Sequence, residues 1–240
     1  MNKSYPVELQ MRLEKAIVEG AYARGSVVTI DELARDLRAA DGPLLLILPM
    51  AHCKGLVEPL AEEGTYRILG LPTTELSSVF THTQDRGLKP RSLVRRVEVE
   101  PASVEVASRL RIEVGSPVYR NVRTRFVDEQ ALANQTNYMP YAVCPGLERD
   151  DVSRHSFQKL LESKYAAITV SMDEHFAVLP ATDQDGEILG MAPGSSILLV
   201  DRLALSATGW PLVWANIRIR PDRYEYVQAL WPRAAKLLNQ

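Results

Sequence analysis

The sequence is poor in the features that mark several protein classes. It holds two cysteines, Cys53 and Cys144, in 240 residues, which argues against a disulfide-stapled secreted scaffold. Its longest apolar run, Pro43 to Ala51, is far shorter than the roughly 20 residues that span a bilayer. The 28 lysines and arginines do not outnumber the 30 aspartates and glutamates, so no chain-wide positive field attracts nucleic acid or membrane.

Common signatures of catalytic and metal sites are also missing. The sequence has no Gly-rich phosphate loop, no nucleophile elbow, and no Cys-x-x-Cys or His-Glu-x-x-His spacing. Its opening residues, Met-Asn-Lys-Ser-Tyr-Pro, lack the apolar core of a secretory signal. We therefore expect a cytoplasmic protein that is not an enzyme and has no cofactor, no metal and no membrane partner.

The first 70 residues show the pattern of three helices followed by a hairpin. Apolar residues recur at helical intervals from Val7 to Ala21, and Thr29 with Glu32 forms a capping box for a second helix. This second helix is predicted to end at Leu37. A third helix is predicted from Pro43 to Lys54, and Pro49 weakens or kinks it. A hairpin turn is predicted at Glu62 to Thr65. This order is the outline of a winged helix-turn-helix, which we assign to residues 1–69.

From residue 77 onward the pattern is that of an α+β unit. Polar and apolar residues alternate, as in half-buried strands, at 92–100, 118–126, 131–139, 167–179, 196–204 and 211–220. Helices are predicted at 77–86 and 151–163. Because hairpin turns join several of the strands, the sequence predicts a mostly antiparallel sheet in a domain at 77–240, which a linker at 70–76 joins to the first.

Short motifs run in a fixed order through this second unit. They include Gly87-Leu88-Lys89-Pro90, Gly115-Ser116-Pro117-Val118, Tyr138-Met139-Pro140, Cys144-Pro145-Gly146-Leu147 and Gly209-Trp210-Pro211-Leu212. In these motifs the unit resembles the UTRA effector-binding domain of the HutC subfamily of GntR bacterial transcription regulators. The resemblance implies a chorismate-lyase-like α+β fold that binds small, often anionic, metabolites.

The resemblance also implies an effector site. Arg123 and Arg125 match the family's Arg-x-Arg pair, which holds the phosphate or carboxylate of the effector; their spacing puts both side chains on one strand face. The alternative is a solvated strand face. His155 and Ser156, at the start of a predicted helix, match polar residues that complete the anion site. The remaining candidates are Gln135, Tyr138, Glu174 and Asn216, with core packing of Tyr138 and a solvated hairpin for Glu174 as alternatives.

Two acids that bind an amino-sugar effector in well-known relatives are replaced here. Gln135 and Val213 stand in their positions. An amide and an apolar group do not accept hydrogen bonds from hydroxyl or ammonium groups as two carboxylates do. We therefore expect an effector other than the phosphorylated amino sugar of those relatives.

The first unit resembles the family's winged helix but differs at its DNA-facing positions. Asp31-Glu32-Leu33-Ala34 and Gly55-Leu56-Val57 match, yet Asp31 stands where the family has Arg, and residues 40–45 replace Ser-Arg-Thr-Thr-Val-Arg. Residues 1–70 hold eight basic and ten acidic side chains, whereas neutralisation of phosphates supplies much of the affinity for DNA. The candidate DNA contacts are Thr29, Arg35, Arg38 and Lys54.

The leading hypothesis is a homodimeric, ligand-responsive transcription regulator, expected to be a repressor, that binds operator DNA and a small anionic metabolite. The alternative is a metabolite-binding dimer whose DNA-reading helix has lost its function. The apolar run Leu44 to Leu48 would then be core or a protein interface. A lyase-like enzyme on the same fold is disfavoured because no general acid or base accompanies the arginines.

Overall fold

The computed structural model describes residues 4–70, 90–127, 129–152 and 157–223. Residues 71–76 of the predicted linker at 70–76, the predicted helix at 77–86, and the site candidates His155 and Ser156 lie outside these residues. Within them the chain forms two antiparallel sheets with helices packed on each. This is the α+β class that the sequence predicts.

Residues 4–70 form a three-helix unit with a small sheet. Its helices are α1 (Ser4–Val18), α2 (Ile30–Asp36) and α3 (Asp41–Cys53), and its strands are β1 (Val27–Thr29), β2 (Val57–Pro59) and β3 (Thr65–Ile68). The strands pair in the order β1-β3-β2. The predicted capping box is present: Thr29 Oγ1 accepts from the Glu32 amide at 3.2 Å, and Glu32 Oε2 accepts from the Thr29 amide at 2.8 Å.

The core of this unit is one apolar cluster to which all three helices contribute. Leu9 and Leu13 of α1, Leu33 of α2, and Leu44 of α3 are fully buried in it. Pro49 lies inside α3 without ending it, and the helix continues to Cys53. The order of helices and strands is that of a winged helix-turn-helix, with α3 in the position of the DNA-reading helix.

Residues 90–223 are built on a six-stranded sheet. The strands are β4 (Pro90–Pro101), β5 (Pro117–Val127), β6 (Gln130–Pro140), β7 (Ser171–Pro180), β8 (Ser196–Leu205) and β9 (Pro211–Ile219), in the order β4-β5-β6-β9-β8-β7. The helices are α4 (Val104–Leu110), α5 (Phe157–Tyr165) and α6 (Asp183–Leu189), with short 3-10 turns at Tyr141–Val143, Leu147–Arg149 and Pro221–Arg223. The sequence patterns did not predict α6, which begins at a capping box of Thr182 and Asp185.

The two faces of this sheet are covered by different helices. Tyr119 packs with Leu161 and Tyr165 of α5, and we call this side the α5 face. Trp214 packs with Val106 of α4 on the other side, the α4 face. Residues that are directly opposite each other on paired strands share a face, so the strand register decides which side chains can form one site.

Candidate functional site

A polar layer is buried on the α5 face where β5 and β6 pair. Arg123 is 1% exposed, and it lies opposite Gln135, while Asn121 lies opposite Asn137. All four side chains are buried. Arg125 follows on the same face, two residues after Arg123. Buried positions of a sheet are usually apolar, so this layer is a candidate binding site.

Hydrogen bonds to neutral groups link the side chains of the layer. Arg125 donates from Nη1 to Ser92 Oγ at 2.7 Å and from Nε to Gln135 Oε1 at 3.3 Å. Gln135 Nε2 donates to Asn137 Oδ1 at 2.7 Å. A further bond, from Arg123 Nε to Asn121 Oδ1, measures 3.0 Å. These bonds hold the guanidinium and amide groups in fixed orientations.

The charged forms of both arginines are disfavoured by their surroundings. Burial and the nearby Arg125 lower the pKa of Arg123 to about 9. Burial and the nearby Arg202 lower the pKa of Arg125 to about 10. Both Arg123 and Arg125 still carry a positive charge at neutral pH. Because water screens them poorly in this layer, a bound anion would offset both the burial and the mutual repulsion.

Glu174 lies on the same face and pairs with Arg202. Arg202 contacts Glu174 Oε1 through Nη2 at 2.6 Å and through Nε at 2.7 Å. The two residues are opposite each other on β7 and β8. This carboxylate positions Arg202, whereas its contact with an effector stays a prediction.

Sequence reasoning missed several members of the layer. The sequence patterns did not single out Arg202, Asn121, Asn137 or Ser92. A signal for two of them was present: polar residues recur every second position from Asn121 to Arg125 and from Gln135 to Asn137. Such repetition of polar groups along one strand face is the pattern that marks the layer.

Tyr138 and Asn216 lie on the opposite, α4 face. Tyr138 pairs with Trp214 in the strand register and stacks on it, with 5.3 Å between ring centroids. Asn216 lies opposite Asp201. The prediction that both residues line one pocket with the two arginines is wrong, because Tyr138 is an odd number of residues from Gln135 and side chains alternate between faces.

Three of the four candidate DNA contacts are on the surface. Arg35 in the last turn of α2 and Arg38 just after it are exposed. Thr29 is exposed too, and its hydroxyl already caps α2. The exposed side of α3 has a different character: Leu45 and Leu46 are 53% and 63% exposed, and no lysine or arginine occurs between Asp41 and Cys53.

Lys54, the fourth candidate, is fully buried. Its Nζ lies 2.5 Å from Glu14 Oε1 and donates to the Tyr165 carbonyl at 2.6 Å. A buried ammonium group with these partners does not reach a DNA phosphate. The structure therefore corrects the prediction for Lys54 and leaves Arg35 and Arg38 as the cationic candidates.

Residues 85–225 match the UTRA domain family. The chain belongs to this family. UTRA relatives include GmuR of Bacillus subtilis, an HTH-type transcriptional regulator that is 28% identical over 191 residues, which cover 80% of this chain and 77% of that protein. The HTH-type transcriptional repressor NagR of Bacillus subtilis is 22% identical over 178 residues, or 72% of each chain. A third relative, YurK of Bacillus subtilis, is 25% identical over 146 residues, which are 60% of this chain and 59% of YurK, less than two thirds of its length.

Solved structures of UTRA proteins share the fold. PhnF from Mycobacterium smegmatis superposes with a TM-score of 0.59 at 17% identity, over 90% of this chain and 95% of that chain. The C-terminal domain of YurK from Bacillus subtilis superposes with a TM-score of 0.52 at 22% identity, over 54% of this chain and 90% of that domain. The predicted UTRA domain and the predicted α+β fold are confirmed.

In the part of the chain that the structure describes, no group of three or more His, Cys, Asp or Glu residues is placed to hold a metal ion. No helix in that part is both long and apolar enough to cross a membrane.

Proposed function

We propose that the protein is a cytoplasmic, homodimeric repressor that binds operator DNA through its winged helix and a small anionic metabolite through its UTRA domain. The observation that carries the proposal is the buried layer around Arg123 and Arg125. Arg125 donates to the neutral side chains of Gln135 and Ser92, and burial together with a neighbouring arginine lowers the pKa of both Arg123 and Arg125. An anion is the ligand that such a layer stabilises most.

Asn121 supports a ligand at this place. Its Oδ1 accepts from Arg123 Nε, so its Nδ2 is turned away from the guanidinium. That Nδ2 atom is buried and has no hydrogen-bond partner among the described residues. A buried donor without a partner is costly, and an oxygen of a bound metabolite would accept its hydrogen bond.

The anion site is tested by the thermal unfolding of the full chain with inorganic phosphate, sulfate or chloride at equal ionic strength. We expect phosphate to raise the Tm of the wild type and of Arg120→Ala but not that of Arg125→Ala. Arg120 lies on the same strand but on the α4 face, where it contacts Tyr138 and Glu98. Equal phosphate shifts in the two variants would contradict a site at the polar layer.

Whether the effector is an amino sugar is tested with two sugar phosphates that differ in the amino group. Gln135 already bonds Arg125 and Asn137, and it offers no carboxylate to an ammonium group. We expect glucosamine 6-phosphate to bind no better than glucose 6-phosphate. A clear preference for the amino sugar would refute this part of the proposal.

DNA binding is tested with the DNA upstream of the chain's own gene at two salt concentrations. We expect affinity that falls with salt and falls further in Arg35→Ala/Arg38→Ala, because exposed cations neutralise phosphates. The control is Arg91→Ala/Arg149→Ala, which removes two exposed arginines of the UTRA domain.

A second candidate function is a metabolite-binding dimer that no longer reads DNA. It is favoured by the exposed Leu45 and Leu46 on α3 and by the burial of Lys54. In this case the chain binds its upstream DNA no better than random DNA, while the phosphate shift persists. The DNA-binding experiment and the phosphate-induced shift in Tm together therefore separate the two candidate functions.

A further inference from the structure

The C-terminal end of α3 is capped by the UTRA domain. Ser206 Oγ donates to the Cys53 carbonyl at 2.5 Å, and the single hydroxyl hydrogen of Thr208 is shared between the carbonyls of His52 and Cys53, which lie 3.1 and 3.0 Å from Oγ1. Both hydroxyls belong to the turn between β8 and β9. The last carbonyls of a helix need partners from outside its own turns, and here a second domain supplies them.

A buried ion pair ties the same helix end to α5. Lys54 Nζ bonds Glu14 Oε1 of α1 and the carbonyl of Tyr165, the last residue of α5. Gln10 Nε2 donates to Glu14 Oε1 at 2.9 Å and to the Ala142 carbonyl at 3.0 Å. The winged helix thus presents one polar cluster to two carbonyls of the UTRA domain.

Apolar contacts close the interface around these bonds. Met50 of α3 packs against the cluster under α5, and Ala166 packs into the core of the winged helix. At Gly55 the backbone has a φ of +76°, and an added Cβ would lie 2.7 Å from Ala207 Cβ. Only glycine fits this conformation so close to the neighbouring domain.

Both parts of the interface belong to elements on the face of the sheet that carries the polar layer. β8 carries Arg202, which lowers the pKa of Arg125 by its charge, and reaches Ser206 four residues later. α5 runs from Phe157 to Tyr165 and packs on the face of the sheet that carries the layer. A shift of β8 at Arg202 therefore moves Ser206, and a shift of α5 on this face moves the Tyr165 carbonyl; Ser206 bonds the last residue of α3, and the carbonyl bonds Lys54, which follows it.

We propose that Ser206, Thr208 and the Tyr165 carbonyl form a clamp that positions α3 for DNA, and that an anion bound in the polar layer changes DNA affinity through this clamp. The DNA and anion parts rest on the proposed function; the clamp does not. Desolvation offsets much of the attraction in a buried ion pair. The clamp therefore sets geometry without locking the domains permanently, which a two-state regulator requires.

The clamp is tested by hydrogen exchange of the full chain in Gly55→Ala and in a matched control, Gly20→Ala. Both glycines have a positive φ, +76° and +78°, but nothing lies within 4 Å of a Cβ added at Gly20. We expect the backbone amides of residues 50–56 and 203–210 to exchange about tenfold faster in Gly55→Ala only. Adding Ala207→Gly removes the 2.7 Å contact and slows this exchange again. Equal exchange in the two alanine variants, or no recovery with Ala207→Gly, overturns the clamp.

The positioning role is tested with a duplex that the wild type selects from a random pool. We expect Ser206→Ala/Thr208→Ala to fold and to change the Kd for this duplex by about fivefold or more, while the control Ser195→Ala keeps the wild-type Kd. An unchanged Kd in the double variant overturns the positioning role. If no duplex is selected, the DNA part of the proposed function fails, and the exchange experiment still decides the clamp.

Discussion

Arg125 Nε donates a hydrogen bond to Gln135 Oε1 across the β5–β6 pair, at 3.3 Å. The same guanidinium donates to Ser92 Oγ on the other neighbouring strand. Neutral oxygens therefore hold Arg125 from both sides without cancelling its charge, and burial with the nearby Arg202 lowers its pKa to about 10. The identity of residue 135 thus decides how much positive charge the layer offers to a ligand.

Gln135→Glu is expected to weaken anion binding. A carboxylate next to Arg125 raises the pKa of its guanidinium toward the ordinary value and competes with the ligand. We expect the affinity for inorganic phosphate to fall about tenfold or more, measured by thermal shift or calorimetry. Asn216→Asp makes the same charge change on the α4 face and should leave phosphate affinity unchanged. Equal losses of phosphate affinity in the two variants would mean that phosphate binding depends on the net charge of the protein alone.

Lys54→Met is expected to destabilise the fold more strongly at high pH than at low pH. Burial raises the pKa of Glu14, and Lys54 opposes this, so the variant leaves an unpaired carboxylate with a still higher pKa. Stability is then retained while Glu14 is protonated and is lost as the pH rises through that pKa. We expect a loss of about 3–5 kcal/mol at pH 8 in chemical denaturation. Glu14→Gln/Lys54→Met should recover much of it; a double variant as unstable as Lys54→Met would contradict the pairing.

Asp185→Asn is expected to remove an acid-sensitive contribution to stability. Burial raises the pKa of this carboxyl, but hydrogen bonds from Arg218 and Thr182 outweigh it and hold the pKa below its ordinary 3.8. The contribution is therefore present above pH 3.8 and is lost as the pH falls through the lowered pKa. The unfolding free energy should be about 2 kcal/mol lower in the variant at pH 7, and the difference should shrink in acid. Asp183→Asn, an exposed acid of the same turn, should show neither effect.

Thr29→Ala separates capping from DNA contact. Loss of the hydroxyl that accepts from the Glu32 amide should lower stability by about 1 kcal/mol, and Thr182→Ala, which removes the second capping box, should cost a similar amount. If Thr29 also contacts a phosphate, DNA affinity falls in Thr29→Ala but not in Thr182→Ala. Equal DNA affinity in the two variants would assign Thr29 to capping alone.

The features that could be predicted from the sequence are local ones. The capping box of Thr29 and Glu32 joins residues three positions apart, and the strands β5 and β6 follow from two-residue alternation. The helix α6 was missed because it has seven residues and contains Gly186, which lowers helix propensity. Such a short helix depends on its packing and its cap more than on its own sequence pattern.

The sequence by itself determined the family, the order of most elements and the shared face of Arg123 and Arg125, because all three depend on residues close together in the chain. Only the tertiary structure decided that Asn216 faces away from these arginines, since alternation orders side chains within one strand while the register relates different strands. It also decided that Lys54 is buried. A lysine just after a helix has no local reason to leave water; its partner is the carbonyl of Tyr165, 111 residues later, brought there by the packing of one domain on the other.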